Sequence, residues 1–310
     1  MRNRLPMRST HVSLAMSMCA FTLLYCAVNI RPSFAQNQNN QDQDNLDWRY
    51  HGNDLSNQRF QDVDQINPSN VAKLKPAWIF HTGVSDPNMS MEMTPVVIGG
   101  VMYVATGDDD VYALNAATGK QIWAYHPTDM PPLSSLPICC NNDNRGVAVG
   151  NGKVFDARLD ATLVALDQKT GKVAWKTTVD LPSNGASMTI APQFADNKVI
   201  VGVSGAEYGV RGHVDAYDPD TGKLLWRFWT TEPTTWSGNT YLHGGASVWG
   251  NPSYDSDLHM LYFTTGNAYP WPWAGDRAGT NLYSTCIVAV DVRRGTEVVF
   301  PRNGVSTSLR

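Results

Sequence analysis

The sequence is short of basic charge, short of cysteine and without any amphipathic helix of ordinary length. It carries 24 Lys and Arg against 28 Asp and Glu, which gives no electrostatic case for binding nucleic acid or anionic lipid. It has five cysteines and no Cys-x-x-Cys-His, so these residues encode no haem attachment. Two of the five, Cys19 and Cys26, fall in an N-terminal apolar run. A bulky Tyr25 before Cys26, and apolar residues after it, argue against a lipoprotein signal. With no helical periodicity to compete, the short β-branched runs set the fold class.

Arg2, Arg4 and Arg8 precede an apolar run from Val12 to Ile30, and Ser33-Phe34-Ala35 supplies a small-x-small site. Residues 1–35 therefore read as a secretory signal peptide, so the mature chain is exported to a compartment where disulfides persist. Cleavage removes Arg2, Arg4, Arg8 and Arg31, leaving 20 basic and 28 acidic residues, a net charge of −8. Residues 36–45, "QNQNNQDQDN", have nothing apolar to bury and read as a disordered lead-in.

What the chain does have is a repeat. "ALNAATGKQIW" at 113–123, "ALDQKTGKVAW" at 165–175 and "AYDPDTGKLLW" at 216–226 are one motif, spaced 52 and then 51 residues apart. A fourth, eroded copy, "AVDVRRGTEVVF", begins at Ala289. Each unit reads as short strands joined by tight TGK turns, with a closing Trp that packs one unit on the next. Four-stranded units at a period near fifty predict a β-propeller.

Function belongs where the repeats stop agreeing. Four insertions qualify: "LPICCNNDNRG" at 136–146, "SGAEYGVRG" at 204–212, "HGGASVWG" at 243–250 and "TGNAYPWPWAGDRAGTNLY" at 265–283. The adjacent Cys139 and Cys140 have Cα atoms about 3.8 Å apart, below the usual disulfide range. Three readings stay open: a compact, flat disulfide ring able to press on a planar ligand, two reduced thiols, or bridges to other partners. Glu207 in a glycine-flanked loop and Asn267 at a strand end are oxygen donors suited to a hard cation. Trp249 is either a stacking platform or a core residue. Arg145 and Arg211 are fixed charges able to meet carboxylates or carbonyl oxygens.

Together "ICCNNDNRG", "SGAEYGVRG", "GGASVWG", "TTGNAYPW", the TGK-to-Trp repeats, "WRYHGNDLSNQRF" and "INPSNVAKLKPAWIFHTG" resemble the quinoprotein alcohol dehydrogenases of the methanol/ethanol dehydrogenase group. The resemblance runs from about Leu46 to Phe300. It implies an all-β fold, a β-propeller of the eight-bladed type, with about four blades in this chain (46–300) as the N-terminal half. It implies a periplasmic enzyme oxidising a primary alcohol to an aldehyde by hydride transfer to pyrroloquinoline quinone. A c-type cytochrome is the implied electron acceptor, and a homodimer is left open. By the same resemblance Cys139 and Cys140 form a vicinal disulfide over one face of the quinone and Trp249 covers the other. The remaining cofactor contacts match Glu92, Arg145, Thr189, Ser204, Gly205, Ala206 and Ser247. Glu207 and Asn267 match the ligands of a calcium or lanthanide ion.

Several positions depart from the family pattern. Asn115 replaces the repeat's Asp, Thr280 stands where Asp is common, and Ala246 replaces a common Gly beside Trp249. Family members are about twice as long, and the catalytic Asp is expected in the part beyond this chain. Residues 301–310 continue neither the TGK turn nor a β pattern and read as an aberrant or frameshifted tail. The 310 residues alone are therefore expected to be inactive. The competing reading, a non-enzymatic propeller scaffold of the outer-membrane assembly type, should lack the Cys-Cys pair and the Glu207 loop and carry a lipobox. A sugar dehydrogenase of the wider class is disfavoured by the paired cysteines.

Overall fold

The computed structural model describes residues 47–299, apart from residues 85, 88 and 272. The expected signal peptide, lead-in and aberrant tail lie outside them. The described chain is all-β, four four-stranded antiparallel sheets each laid down in sequence order. Sheet 1 holds β1 (Val96–Ile98), β2 (Val101–Ala105), β3 (Val111–Asn115) and β4 (Gln121–Tyr125). Sheet 2 holds β5 (Ala148–Gly150), β6 (Lys153–Ala157), β7 (Thr162–Asp167) and β8 (Val173–Thr178). Sheet 3 holds β9 (Gln193–Ala195), β10 (Lys198–Gly202), β11 (His213–Tyr217) and β12 (Leu224–Trp229). Sheet 4 holds β13 (Ser253–Asp255), β14 (Met260–Thr264), β15 (Ile287–Asp291) and β16 (Thr296–Val299). Among the described residues the only helices are short 3-10 turns, and none is long and apolar enough to cross a membrane.

Side chains alternate across a strand, so a strand covered on both faces must be apolar at consecutive positions. In β7, Val164 and Leu166 pack toward sheet 1, while Leu163 and Ala165 join the core shared with sheet 3. A third core joins sheets 3 and 4 through Trp226, Phe228, Leu261 and Phe263. Each sheet thus covers one face of its neighbour, as a propeller requires.

The repeat motif accounts for the turn chemistry. Asp167 Oδ1 accepts from Lys169 N–H, Thr170 N–H and the Thr170 hydroxyl, and Asp218 repeats the pattern with Asp220 and Thr221. Asn115 does the same through its Oδ1, so its departure from Asp leaves the turn intact. The glycine after each Thr has positive φ, 69° at Gly119 and Gly171 and 70° at Gly222, where a side chain would be strained.

Each of these glycines is also a floor for a tryptophan. A Cβ on Gly171 would lie 2.6 Å from the Trp123 ring, and one on Gly222 would lie 2.6 Å from Trp175. The indole N–H then donates to a carbonyl of the same turn: Trp123 to Gln168, Trp175 to Pro219. The eroded fourth copy keeps the device, with Gly295 under Trp226 and the indole bonded to Val292 O at 2.7 Å. Trp78, which precedes sheet 1 and has no TGK turn before it, covers Gly119 and donates to Ala116 O. All four sheets also slip register at the same alanine of the third strand: Ala113, Ala165, Ala216 and Ala289.

The meander decides where the insertions go. Odd strands run one way and even strands the other, so the TGK turns share one end of each sheet. Links from second to third strand, and from the fourth strand to the next sheet, share the opposite end. All four inserted segments are of these two kinds.

Candidate functional site

Backbone hydrogen bonds lace the inserted segments together. Ser90 N–H donates to Asn142 O, and Arg145 N–H to Thr189 O. Ser187 and Ser204 form an antiparallel bridge, Val248 N–H donates to Val203 O, and Gly266 N–H donates to Ser247 O. Gly245 N–H donates to Val210 O, and Ala246 N–H to Asn267 O. The Tyr208 hydroxyl reaches Ile138 O at 3.0 Å, tying the Glu207 loop to the cysteine loop. Gly205, at φ 109°, could not be anything larger, because a Cβ would strike the Gly185 carbonyl oxygen. Ala246, at φ 53°, holds a left-handed conformation that glycine adopts more cheaply.

Several of the expected site residues meet through side chains. Arg145 donates from Nη2 to Glu92 Oε2 at 2.8 Å, and from Nη1 to the Thr189 hydroxyl at 2.7 Å. The Thr189 hydroxyl is 3.0 Å from that of Ser204. The Arg145 guanidinium also lies over the Trp249 ring, 5.2 Å from its centroid. Trp249 is half exposed, the more open of the two environments the sequence allowed. Cys139 and Cys140 are bonded to each other, and Cys286 is a buried thiol in the core just before β15, donating to Ser284 O. Arg211 goes elsewhere: it stacks on Trp229 at 4.0 Å and Tyr241 at 4.9 Å and bonds to Thr231.

Glu207 and Asn267 are exposed, and neither side chain makes a hydrogen bond or ion pair among the described residues. The structure does not pair them with each other. Their oxygens are free for a hard cation, which fits calcium or a lanthanide in donor type. Among the described residues there is no cluster of three or more His, Cys, Asp and Glu that could hold a metal ion. The bonded cysteines, the exposed indole, two hydroxyls and one guanidinium suit a flat, anionic, oxygen-rich ligand.

Sequence reasoning missed the support beneath this site. Asp143 is 4% exposed and lies 2.8 Å from Arg145 Nη1. Its Oδ1 is buried without a hydrogen-bond partner. Burial pushes its carboxyl up to about 6, with Arg145 pulling the other way. Asn144, also buried, donates to Asp109 Oδ1 at 3.0 Å and Asp156 Oδ1 at 2.9 Å, and so clamps the cysteine loop to sheets 1 and 2. Burial drives both of those carboxyls upward, Asp156 to about 7, and Asp109 is raised further by Asp156 beside it. Burial likewise holds His51, whose Nδ1 donates to Arg145 O, down to about 4. The signal for Asp143 was its place two residues before Arg145 in an inserted loop; for Asp109, in the "GDDD" run, there was none.

Comparison with known proteins gives the family. The family model described as glucose/ethanol/alcohol dehydrogenase, beta-propeller domain, matches residues 48–299. The chain is 40% identical over 267 residues to the quinohemoprotein alcohol dehydrogenase ADH IIB of Pseudomonas putida, covering 79% of this chain and 38% of that protein. It is 38% identical over 263 residues to the lanthanide-dependent methanol dehydrogenase of Methylorubrum extorquens, covering 76% and 43%. The solved structure of quinohemoprotein alcohol dehydrogenase ADHIIG from Pseudomonas putida superimposes with a TM-score of 0.77 at 36% identity, over 83% of this chain and 40% of that one. The chain thus spans about two-fifths of the length of these relatives. With the family model matching nearly all the described residues, the chain belongs to the pyrroloquinoline quinone-dependent alcohol dehydrogenase family.

Proposed function

We propose that this chain carries the cofactor-binding part of an eight-bladed quinoprotein alcohol dehydrogenase of the periplasm. The whole protein would oxidise a primary alcohol to an aldehyde and pass electrons to an acceptor such as a c-type cytochrome. The observation that carries this reading is the unbroken side-chain run Glu92–Arg145–Thr189–Ser204, with Trp249 against Arg145. When bound, the quinone supplies a two-electron acceptor, and a hard cation supplies Lewis acidity toward its carbonyl.

The chain's own residues bind and orient. Arg145 offers the fixed positive charge, held in one pose by Glu92, Asp143 and Thr189. The Cys139–Cys140 pair and Trp249 provide two flat apolar surfaces that exclude water from a planar ring. Thr189, Ser204 and Ser247 supply hydroxyls, and Gly205 and Ala206 bring backbone to the ligand's edge. Glu207 and Asn267 hold the cation. The base that takes the alcohol proton is assigned to none of these.

Binding tests the reading. Pyrroloquinoline quinone, added with calcium or lanthanum, should quench tryptophan fluorescence saturably, and chelator should reverse most of the effect. Trp249→Ala and Arg145→Ala should each weaken binding at least tenfold while leaving the far-ultraviolet spectrum unchanged. Saturable binding indifferent to both substitutions would put the ligand elsewhere.

A further inference from the structure

Arg145 is one positive charge shared by two carboxylates. Glu92 Oε2 and Asp143 Oδ2 each lie 2.8 Å from one of its terminal nitrogens. The two acids are not alike. The Glu92 side chain is 51% exposed, and water can screen it; that of Asp143 is 6% exposed, with Oδ1 buried and unpartnered. The cluster already carries a net charge of −1 when both are ionised. Any carboxylate-bearing ligand drawn to Arg145 would raise that to −2 in a poorly hydrated place. Like-charged carboxylates at such range do not all stay ionised; one takes a proton.

We propose that Asp143 is a further cofactor-binding residue that works as a neutral carboxylic acid, so that binding of the tricarboxylate quinone takes up one proton at this side chain. The proposal rests on the cofactor site described above. Protonation goes to Asp143 rather than Glu92 because burial penalises its charge most and because its free Oδ1 gains a use, as an O–H donor toward Glu92 or a ligand carboxylate. Among the described residues, the other charged or titratable groups beside this cluster are Arg59 and His51. Arg59 Nη2 donates to His51 Nε2 at 2.6 Å, and the other ring nitrogen of His51 bonds Arg145 O. With His51 held neutral, the nearest group able to exchange a proton near neutrality is Asp143. In the free chain Asp143 is already poised, its carboxyl raised to about 6.

The sign follows from linkage. A ligand that binds the protonated form more tightly raises the group's pKa, so affinity falls as pH rises between the free and bound values. One proton per complex means the dissociation constant rises up to about tenfold per pH unit above about 6. The test titrates pyrroloquinoline quinone with calcium chloride into the full chain by calorimetry, at pH 7 in two buffers of different ionisation enthalpy, and repeats the affinity by fluorescence from pH 6 to 8. The expected result is uptake close to one proton per quinone by the unaltered chain. Asp143→Asn, an isostere of the neutral acid, should bind with no uptake and a flat pH profile. Quinone that binds with no proton uptake, or with uptake undiminished in Asp143→Asn, overturns the Asp143 assignment and leaves the site standing. Failure of the quinone to bind any variant overturns the site and this assignment with it.

Discussion

Trp226 and Gly295 make the sharpest stability test. Trp226 is 8% exposed, its ring lies 2.5 Å from where a Gly295 Cβ would be, and its N–H bonds Val292 O at 2.7 Å. Trp226→Ala empties that space at a cost of about 3–5 kcal/mol. Of this, roughly 1 kcal/mol is the hydrogen bond, so Trp226→Phe should lose only about 1–2 kcal/mol. Gly295→Ala acts from the other side. At φ 65° the left-handed backbone costs a non-glycine residue about 1 kcal/mol, and pushing the ring aside adds about 1–3 kcal/mol. The second cost exists only while the ring is there. The double variant should therefore unfold about 1–3 kcal/mol less easily than the sum of the singles predicts. Urea unfolding followed by far-ultraviolet circular dichroism, which does not depend on the mutated fluorophore, measures all four. Strict additivity would mean that Trp226 does not rest on Gly295, and the blade-to-blade device would be wrong for the fourth sheet.

Three further outcomes are expected. Glu207→Ala should abolish metal-dependent quinone binding without lowering the urea midpoint, since the side chain is exposed and makes no hydrogen bond or ion pair among the described residues; unchanged metal content would refute its role as a ligand. Alkylation of the unfolded but unreduced protein should label Cys286 and spare Cys139 and Cys140, as mass spectrometry would show; label on all three removes the flat disulfide surface. His213 is fully buried with neither ring nitrogen hydrogen-bonded, and burial holds it down to about 4. The unfolded chain therefore protonates first as pH falls, and stability contributed by the neutral ring is lost from about pH 6.5 downward to about 4. His213→Phe, packed against Trp229, should flatten that part of the acid profile; a profile identical to the unaltered chain would mean that His213 is not held neutral.

The strands were legible because two local signals coincide in them. Runs such as "VMYVA", "KVFDA" and "KVIVG" are apolar at consecutive positions, and each precedes a TGK turn whose residues have side-chain reasons to be there. Sheet 4 was legible only as an eroded copy, because "RRG" hides the turn glycine that Trp226 selects. Trp78 was not legible as a repeat element at all. Its partner is the first turn of the following sheet, thirty-odd residues ahead, and nothing in its own neighbourhood states the pairing. Glu92, Thr189 and Ser204 came from resemblance, and Arg145 was legible only as a fixed charge; no spacing in the sequence shows that they meet, because they lie on the segment before β1 and on three different inter-strand segments.

The residues that stayed hidden share one physical property. Asp109, Asp143, Asn144 and Asp156 are polar residues whose burial is decided by neighbouring sheets, and in a linear reading an acid in a polar loop is solvated by default. Folding reverses that default. Asn144 spends its amide on two carboxylates that cannot both be ionised in the same buried space, and Leu159 N–H satisfies the far oxygen of Asp109. This network joins the second-to-third strand links of sheets 1 and 2 to the loop that presents Arg145. A loop as polar as "CCNNDNRG" would otherwise be free to move, and a guanidinium on a moving loop cannot hold a fixed pose against Glu92 and Thr189. The cost of burying those acids is what fixes Arg145, so the positions least visible in the sequence are those on which the visible ones depend.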